Sequence, residues 1–341
     1  MGKRVDEIFQ KNDSSTSFTL VGFAEFPQLR YLLLVSFYLM YILTLIGNAA
    51  IVASVLLNSP LHSPMYFFLC NLAFLDIFYS TVTLPQLIHL QIHDGGTISF
   101  TSCLSQQYFY ISFAVCEYFL LAAMAYDRYV AICQPLHYCM AMTRKVFMLL
   151  TKGCWSVGFV SSSLPVFFSS RLQFCSSKII NHFFCDLTAL LKLACSETSN
   201  IQVVIFIESI LLGLLPFLFT LASYVSIVRT VLGIKSENGR SKAFSTCASH
   251  LTVVVLFYGS MIGVYMRPSS MYLPAHDKLF AVLYTTVIPM LNPVIYTLRT
   301  SEVRNVLMKG RSQWGLFYPE APPETNISLC LIREVALGKD I

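Results

Sequence analysis

Charge is what this sequence has least of. Lys, Arg, Asp and Glu together make up 12% of its 341 residues, about half the share found in an ordinary soluble domain. A water-soluble globule of this length needs a far more polar surface, so the composition excludes a cytosolic enzyme, a disordered chain and a charged coiled coil. The net charge of +5 is spread along the chain and forms no basic patch for nucleic acid. Residues 1–30 carry Lys3, Arg4, Asp6, Glu7 and Lys11 without an apolar stretch, so a cleavable signal peptide is missing and the first apolar run is expected to serve as the targeting signal. Gly-x-Ser-x-Gly, His-Glu-x-x-His and the phosphate-binding loop are also absent, which leaves no catalytic residue to assign.

What remains is apolar: 55% hydrophobic residues and a mean hydropathy of +0.64. A bilayer-crossing helix needs roughly 20 mostly apolar residues. Seven runs qualify: Tyr31–Leu57, Tyr66–Leu90, Leu104–Tyr126, Val146–Ser170, Ile201–Val228, Ala243–Met266 and Leu279–Leu298. They lack the period-two alternation of a transmembrane barrel. Backbone groups in lipid must be satisfied internally, so the expected fold is an all-α, seven-transmembrane helix bundle. Pro85, Pro165, Pro216, Pro289 and Pro293 lie inside runs, where membrane helices tolerate them as kinks. The expected organisation is a tail over 1–30, a seven-span domain over 31–300, and a tail over 301–341 with a short amphipathic helix at Glu302–Lys309 followed by a disordered Pro-containing extension.

Seven spans put the termini on opposite sides. The connections after spans one, three and five and the membrane-proximal tail hold eleven Lys and Arg, against nine on the other side, which points the C-terminus to the cytoplasm. The Asn12-Asp13-Ser14 sequon agrees, being usable for N-glycosylation only outside; Asn326-Ile327-Ser328 would then be unused. Most of the 11 cysteines lie within or beside the spans, where a buried apolar thiol is the ordinary reading; four do not fit it: Cys103 at the outer start of span three, and Cys175, Cys185 and Cys195 in the long loop before span five. Disulfides persist on the oxidising side, and a bridge from span three to this loop would hold it over the bundle as a lid. Spacing alone does not give the pairing. The absence of a short Cys-x-x-Cys knuckle argues against a metal site.

The chain shows no repeated halves of the transporter kind. Its motifs are Gly47-Asn48 in span one, Leu72-Ala73-Phe74-Leu75-Asp76 in span two, Met124-Ala125-Tyr126-Asp127-Arg128-Tyr129-Val130-Ala131-Ile132-Cys133 closing span three, and Pro289-Met290-Leu291-Asn292-Pro293-Val294-Ile295-Tyr296 closing span seven. In this order and on these helices they resemble the rhodopsin-like (class A) G-protein-coupled receptors. Leu61-His62-Ser63-Pro64-Met65-Tyr66-Phe67-Phe68-Leu69, Ser223-Tyr224, Lys242-Ala243-Phe244-Ser245-Thr246-Cys247-Ala248-Ser249-His250-Leu251 and His182-Phe183-Phe184-Cys185-Asp186 narrow the resemblance to the olfactory (odorant) receptor family, over roughly 18–310. The tail from Trp314 to Ile341 is longer than that family's pattern.

The resemblance implies a receptor for a small volatile odorant, acting through a stimulatory, olfactory-type heterotrimeric G protein to raise cyclic AMP. Its implied place is the plasma membrane, in cilia of olfactory sensory neurons. It implies disulfides Cys103–Cys185 and Cys175–Cys195. Same-family sensing of a metabolite outside the nose is the alternative; a transporter or channel would instead show flux without a G protein.

Only four charged residues fall within the runs: Asp76, Glu117, Lys152 and Glu208. Charges at membrane depth mark functional sites by default. The resemblance places Asp76 and Glu117 face to face near Asn48 and Asn292, as a sodium or proton site favouring the resting state; a protonated, purely structural pair is the other reading. No other cofactor is implied. Lys152 is within snorkelling reach of the inner interface. Glu208, in the outer half of span five, is either a ligand anchor or a partner of another helix. Gln107, Tyr110, Ile111, Ala114 and Val115 share one face of span three, and Tyr258, Met261, Ile262 and Tyr265 form a similar stripe on span six. With Ser209, Leu212 and Thr285 they form the ligand ring that the resemblance implies, mostly apolar with a few hydroxyls. At the inner end it implies a switch in which Arg128, next to Asp127, is released toward the G protein while Tyr224 and Tyr296 swing in, supported by Asn292, Pro293, Lys242 and His250. His250 is read as a buried polar residue rather than a pH latch.

Overall fold

The computed structural model describes residues 17–58, 61–93, 95–175, 178–233, 237–265 and 274–299. Asn12 and the whole tail beyond 299, with its expected amphipathic helix, lie outside the described residues. Within them the chain forms seven helical rods in sequence order. These are α1 (Arg30–Leu57), α2 (Pro64–His93), α3 (Phe100–Cys133), α4 (Arg144–Ser161, continued by Ser163–Ser169), α5 (Ser199–Leu232), α6 (Glu237–Tyr265) and α7 (274–299). Five stretches are long and apolar enough to cross a membrane: Pro27–Leu57, α2, α3, α5 and Ala275–Tyr296. In α6 the apolar part is the shorter His250–Met261. Most rods overrun their apolar runs by a turn or so, because hydropathy marks the hydrocarbon depth while the helix continues into the wet interface.

α3 is the axis of the bundle. Its apolar window is 72% buried, against 11% for α5, and it packs against α2, α4, α5 and α6. Ser99 caps its start, accepting from the Ser102 N–H at 3.1 Å. Small residues let α4 approach it closely. Ser112 Oγ lies 2.6 Å from Ser162 Oγ, and Gly158 faces Cys116 and the Ser112 carbonyl without a side chain between.

Prolines account for the irregular turns. α4 breaks after Ser161, four residues before Pro165, whose ring would meet that carbonyl. α5 widens to a π-helical turn over Ser209–Leu214 and resumes at Leu215–Pro216. α7 widens over Leu283–Val287 just before Pro289. In both, the carbonyl four residues before the proline lies within the wide turn, where its lost partner is accommodated.

One end of the bundle carries a cap. Ser17–Leu20 (β1) pairs antiparallel with Gly96–Ser99 (β2) and parallel with Ile179–Ile180 (β3), in the order β2-β1-β3. Phe18, Leu20, Ile98 and Ile180 are buried beneath it. The stretch expected only as a tail therefore contributes the central strand. Cys103 is disulfide-bonded to Cys185 and Cys175 to Cys195. Lys278 of α7 is fully buried; its Nζ donates to Glu25 at 3.0 Å and to Asn181 at 2.6 Å. Three separate segments are thus tied together across the bundle mouth.

Candidate functional site

Beneath the cap, α3, α4, α5 and α6 enclose a cavity of about 130 Å³. The i, i+3, i+4 spacing of α3 brings Gln107, Tyr110, Ile111, Ala114 and Val115 to its wall. Glu208, Ser209 and Leu212 reach it from the widened turn of α5, and Tyr258 and Met261 from α6. Thr285 departs from the expected ring. It is buried in the wide turn of α7, its hydroxyl donates to Ala281 O at 2.7 Å, and it does not line the cavity. The side chains of Ile262 and Tyr265 lie outside the described residues.

Other lining residues escaped the sequence reading. Tyr118 continues the α3 stripe by one further step and was legible. Phe217 and Ile205 depend on the phase of α5, which the π turn shifts. Leu187 comes from the cap loop, two residues beyond Cys185, and is placed by the disulfide.

The roof and floor are aromatic. Phe184 of the cap lies 4.6 Å from Tyr110, whose hydroxyl donates to Tyr284 at 2.7 Å. At the floor the Tyr258 ring sits 5.0 Å from Phe217 and 5.2 Å from Tyr118, and its hydroxyl donates to the Tyr118 carbonyl at 3.1 Å. Gln107 donates to Ser169 Oγ at 3.1 Å, while its buried amide oxygen has no partner. His182 in the cap is held neutral, its pKa pushed down to about 4 by burial. Asp186 opposes that shift and the nearby Lys278 charge adds to it.

Below the cavity lies a second, wholly polar cluster. Asn292 donates to Asp76 Oδ2 at 2.8 Å. Asn48 donates to Pro289 O at 2.9 Å and Thr44 O at 3.0 Å. The atoms left without a hydrogen bond are all acceptors: Asn48 Oδ1, Asp76 Oδ1, Asn292 Oδ1 and both Glu117 oxygens. Glu117 lies within reach of the Asp76 charge. Gly47 permits this approach of α1 to α7, since a Cβ there would stand 3.0 Å from Pro293.

At the far end from the cap, Tyr138 donates to Asp127 Oδ1 at 2.8 Å. Arg128 Nε is buried without a hydrogen bond, and its charge reaches Tyr224, His250 and Tyr296. A 2.5 Å hydrogen bond joins the Tyr224 hydroxyl to His250 Nδ1, linking α5 to α6. His250 is fully buried, and the Lys242 side chain lies outside the described residues. Lys152 is exposed on α4.

The family model described as Olfactory receptor matches residues 37–313. The human protein Olfactory receptor 1F1 is 48% identical over 299 residues, covering 87% of this chain and 96% of its own length. Human Olfactory receptor 6P1 is 45% identical over 292 residues, covering 86% of this chain and 92% of its own. Rat Olfactory receptor 1f45 is 46% identical over 299 residues, covering 87% and 96%. The seven rods and these matches agree, and the chain belongs to the olfactory receptor family: it is a seven-transmembrane class A receptor and not an enzyme.

Proposed function

We propose that this receptor binds a small, mostly apolar volatile molecule in the capped cavity and activates a stimulatory, olfactory-type G protein to raise cyclic AMP. The observation that carries the reading is the connection between cavity and inner end. Tyr258 lines the cavity and His250 holds Tyr224 beside Arg128, and both sit on α6 two turns apart. A ligand that fits one arrangement of α6 better than another shifts the population toward it, and the inner end follows. The cap faces outward and the Arg128 end inward, supported by the sequon at Asn12, the excess of inner Lys and Arg, and the cap disulfides. Cilia of olfactory sensory neurons are the proposed location. A cyclic AMP reporter in cells expressing the full chain, screened with an odorant panel, tests the reading: a dose-dependent rise is expected, and flux without cyclic AMP would favour a transporter or channel.

The acceptor cluster suits a sodium ion or a shared proton. Asn48, Asp76, Glu117 and Asn292 would hold the cation, whose charge would offset the two carboxylates and favour the resting arrangement. Purified receptor in NaCl should melt at a higher temperature than in choline chloride, and Asp76→Asn should abolish the difference. An undiminished sodium effect in that variant would count against the ion site.

A further inference from the structure

The cavity is short of donors rather than acceptors. Three of the four side-chain hydroxyls that line it are committed as donors within the protein. Tyr258 donates to Tyr118 O, Ser209 to Ile205 O at 2.7 Å, and Tyr110 to Tyr284. Among the described residues no lysine or arginine lines it. The acceptors without a partner among the described residues are the half-buried Glu208 carboxylate, which has neither ion pair nor hydrogen bond, and the Gln107 amide oxygen.

A carboxylate facing an apolar cavity is costly unless a cation or donor meets it. The aromatic side chains of Tyr110, Tyr118, Phe217 and Tyr258 line the same cavity, and an aromatic face attracts a cation and repels an anion. A neutral hydrocarbon would leave the Glu208 carboxylate unpaired as it displaced water. A carboxylic acid would add a like charge. An alkyl- or arylalkyl-ammonium satisfies both features: its N–H groups pair with Glu208 and reach Gln107, while its apolar body occupies the wall of Ile111, Ala114, Val115 and Met261.

We propose that the preferred ligands of this receptor are small basic amines with an apolar body, with Glu208 as their counter-ion. The inference rests on the reading of the cavity as the ligand site. Its test uses sets in which only the head group changes: 2-phenylethylamine, 2-phenylethanol, propylbenzene and 3-phenylpropanoic acid, and a parallel hexyl series. The sets are read by cyclic AMP in cells expressing the full chain, together with a panel of neutral odorants. Amines are expected to be the most potent members. Glu208→Gln should raise their half-effective concentration about tenfold or more and narrow the gap to the alcohols, while Glu208→Asp retains the amine preference. Surface staining separates loss of binding from loss of receptor.

Alcohols, hydrocarbons or acids acting best would overturn the proposal, as would an amine response indifferent to Glu208→Gln at equal surface level. A response to the neutral odorants without one to amines would overturn it while leaving the receptor reading intact. Silence toward every compound from receptor at the surface would overturn both.

Discussion

Replacing Gly158 by alanine should sharply destabilise the receptor, although the change adds a single methyl group to a helix. A Cβ at this position would stand 2.3 Å from Cys116 Sγ, 2.6 Å from the Ser112 carbonyl oxygen and 3.2 Å from the Cys116 nitrogen. Two of these are backbone atoms of the central rod and cannot rotate away. α3 and α4 must separate, which breaks the Ser112–Ser162 contact and loosens Trp155, stacked on Phe159 and bonded to Asn71 at 3.3 Å. Overpacking that backbone relaxation cannot relieve costs about 3 kcal/mol. The melting temperature of purified receptor should fall by roughly 5 °C or more, with reduced surface expression. Gly153→Ala on the same helix is the control, because nothing lies within 4 Å of its added Cβ. Equal melting of wild type and Gly158→Ala would show that the two rods do not cross as closely as described.

That contact was not legible in the sequence, although much of the bundle was. Hydropathy alone located the seven rods, because exclusion of charge from lipid is a strong local signal. Helical spacing put Gln107 to Val115 on one face of α3, the family resemblance assigned that face to the ligand, and Tyr118 could have been added by the same spacing. Gly158 carried no such mark, since a glycine in a membrane helix shows its role only when its neighbour across the interface is known. The cap escaped for a related reason. Strands of four, four and two residues from three distant segments have no periodicity to read, and their pairing is decided by the disulfide and by Lys278. Thr285 was misplaced because the cavity lies among α3, α4, α5 and α6, and among the described residues none of α7 lines it.

Cys185→Ser should have the second large effect. The Cys103–Cys185 bridge spans 82 residues. Chain-entropy reasoning gives such a loop an upper stabilisation of about 4.5 kcal/mol, reduced where helices persist in the unfolded state. The bridge also fixes Cys185 N–H on Gln106 Oε1 at 3.0 Å, Phe184 on Tyr110, and Leu187 in the cavity roof. Releasing it should lower thermal stability and abolish the ligand response of whatever receptor reaches the surface. Cys103→Ser should do the same, and the double substitution should be no worse than either alone, because each single change already removes the whole interaction. Additive losses would mean that the two sulfurs act independently.

The proposed function requires that a ligand in the capped cavity act through α6 on the inner end of the bundle. Tyr258 is the residue on which that coupling depends most, since its ring forms the cavity floor and its hydroxyl holds α6 to α3. The decisive measurement is the cyclic AMP dose–response of the most potent panel compound for wild type and Tyr258→Ala, at matched surface expression. Tyr258→Ala is expected to lose the response or shift it by about tenfold or more. A superimposable curve from Tyr258→Ala would contradict that coupling.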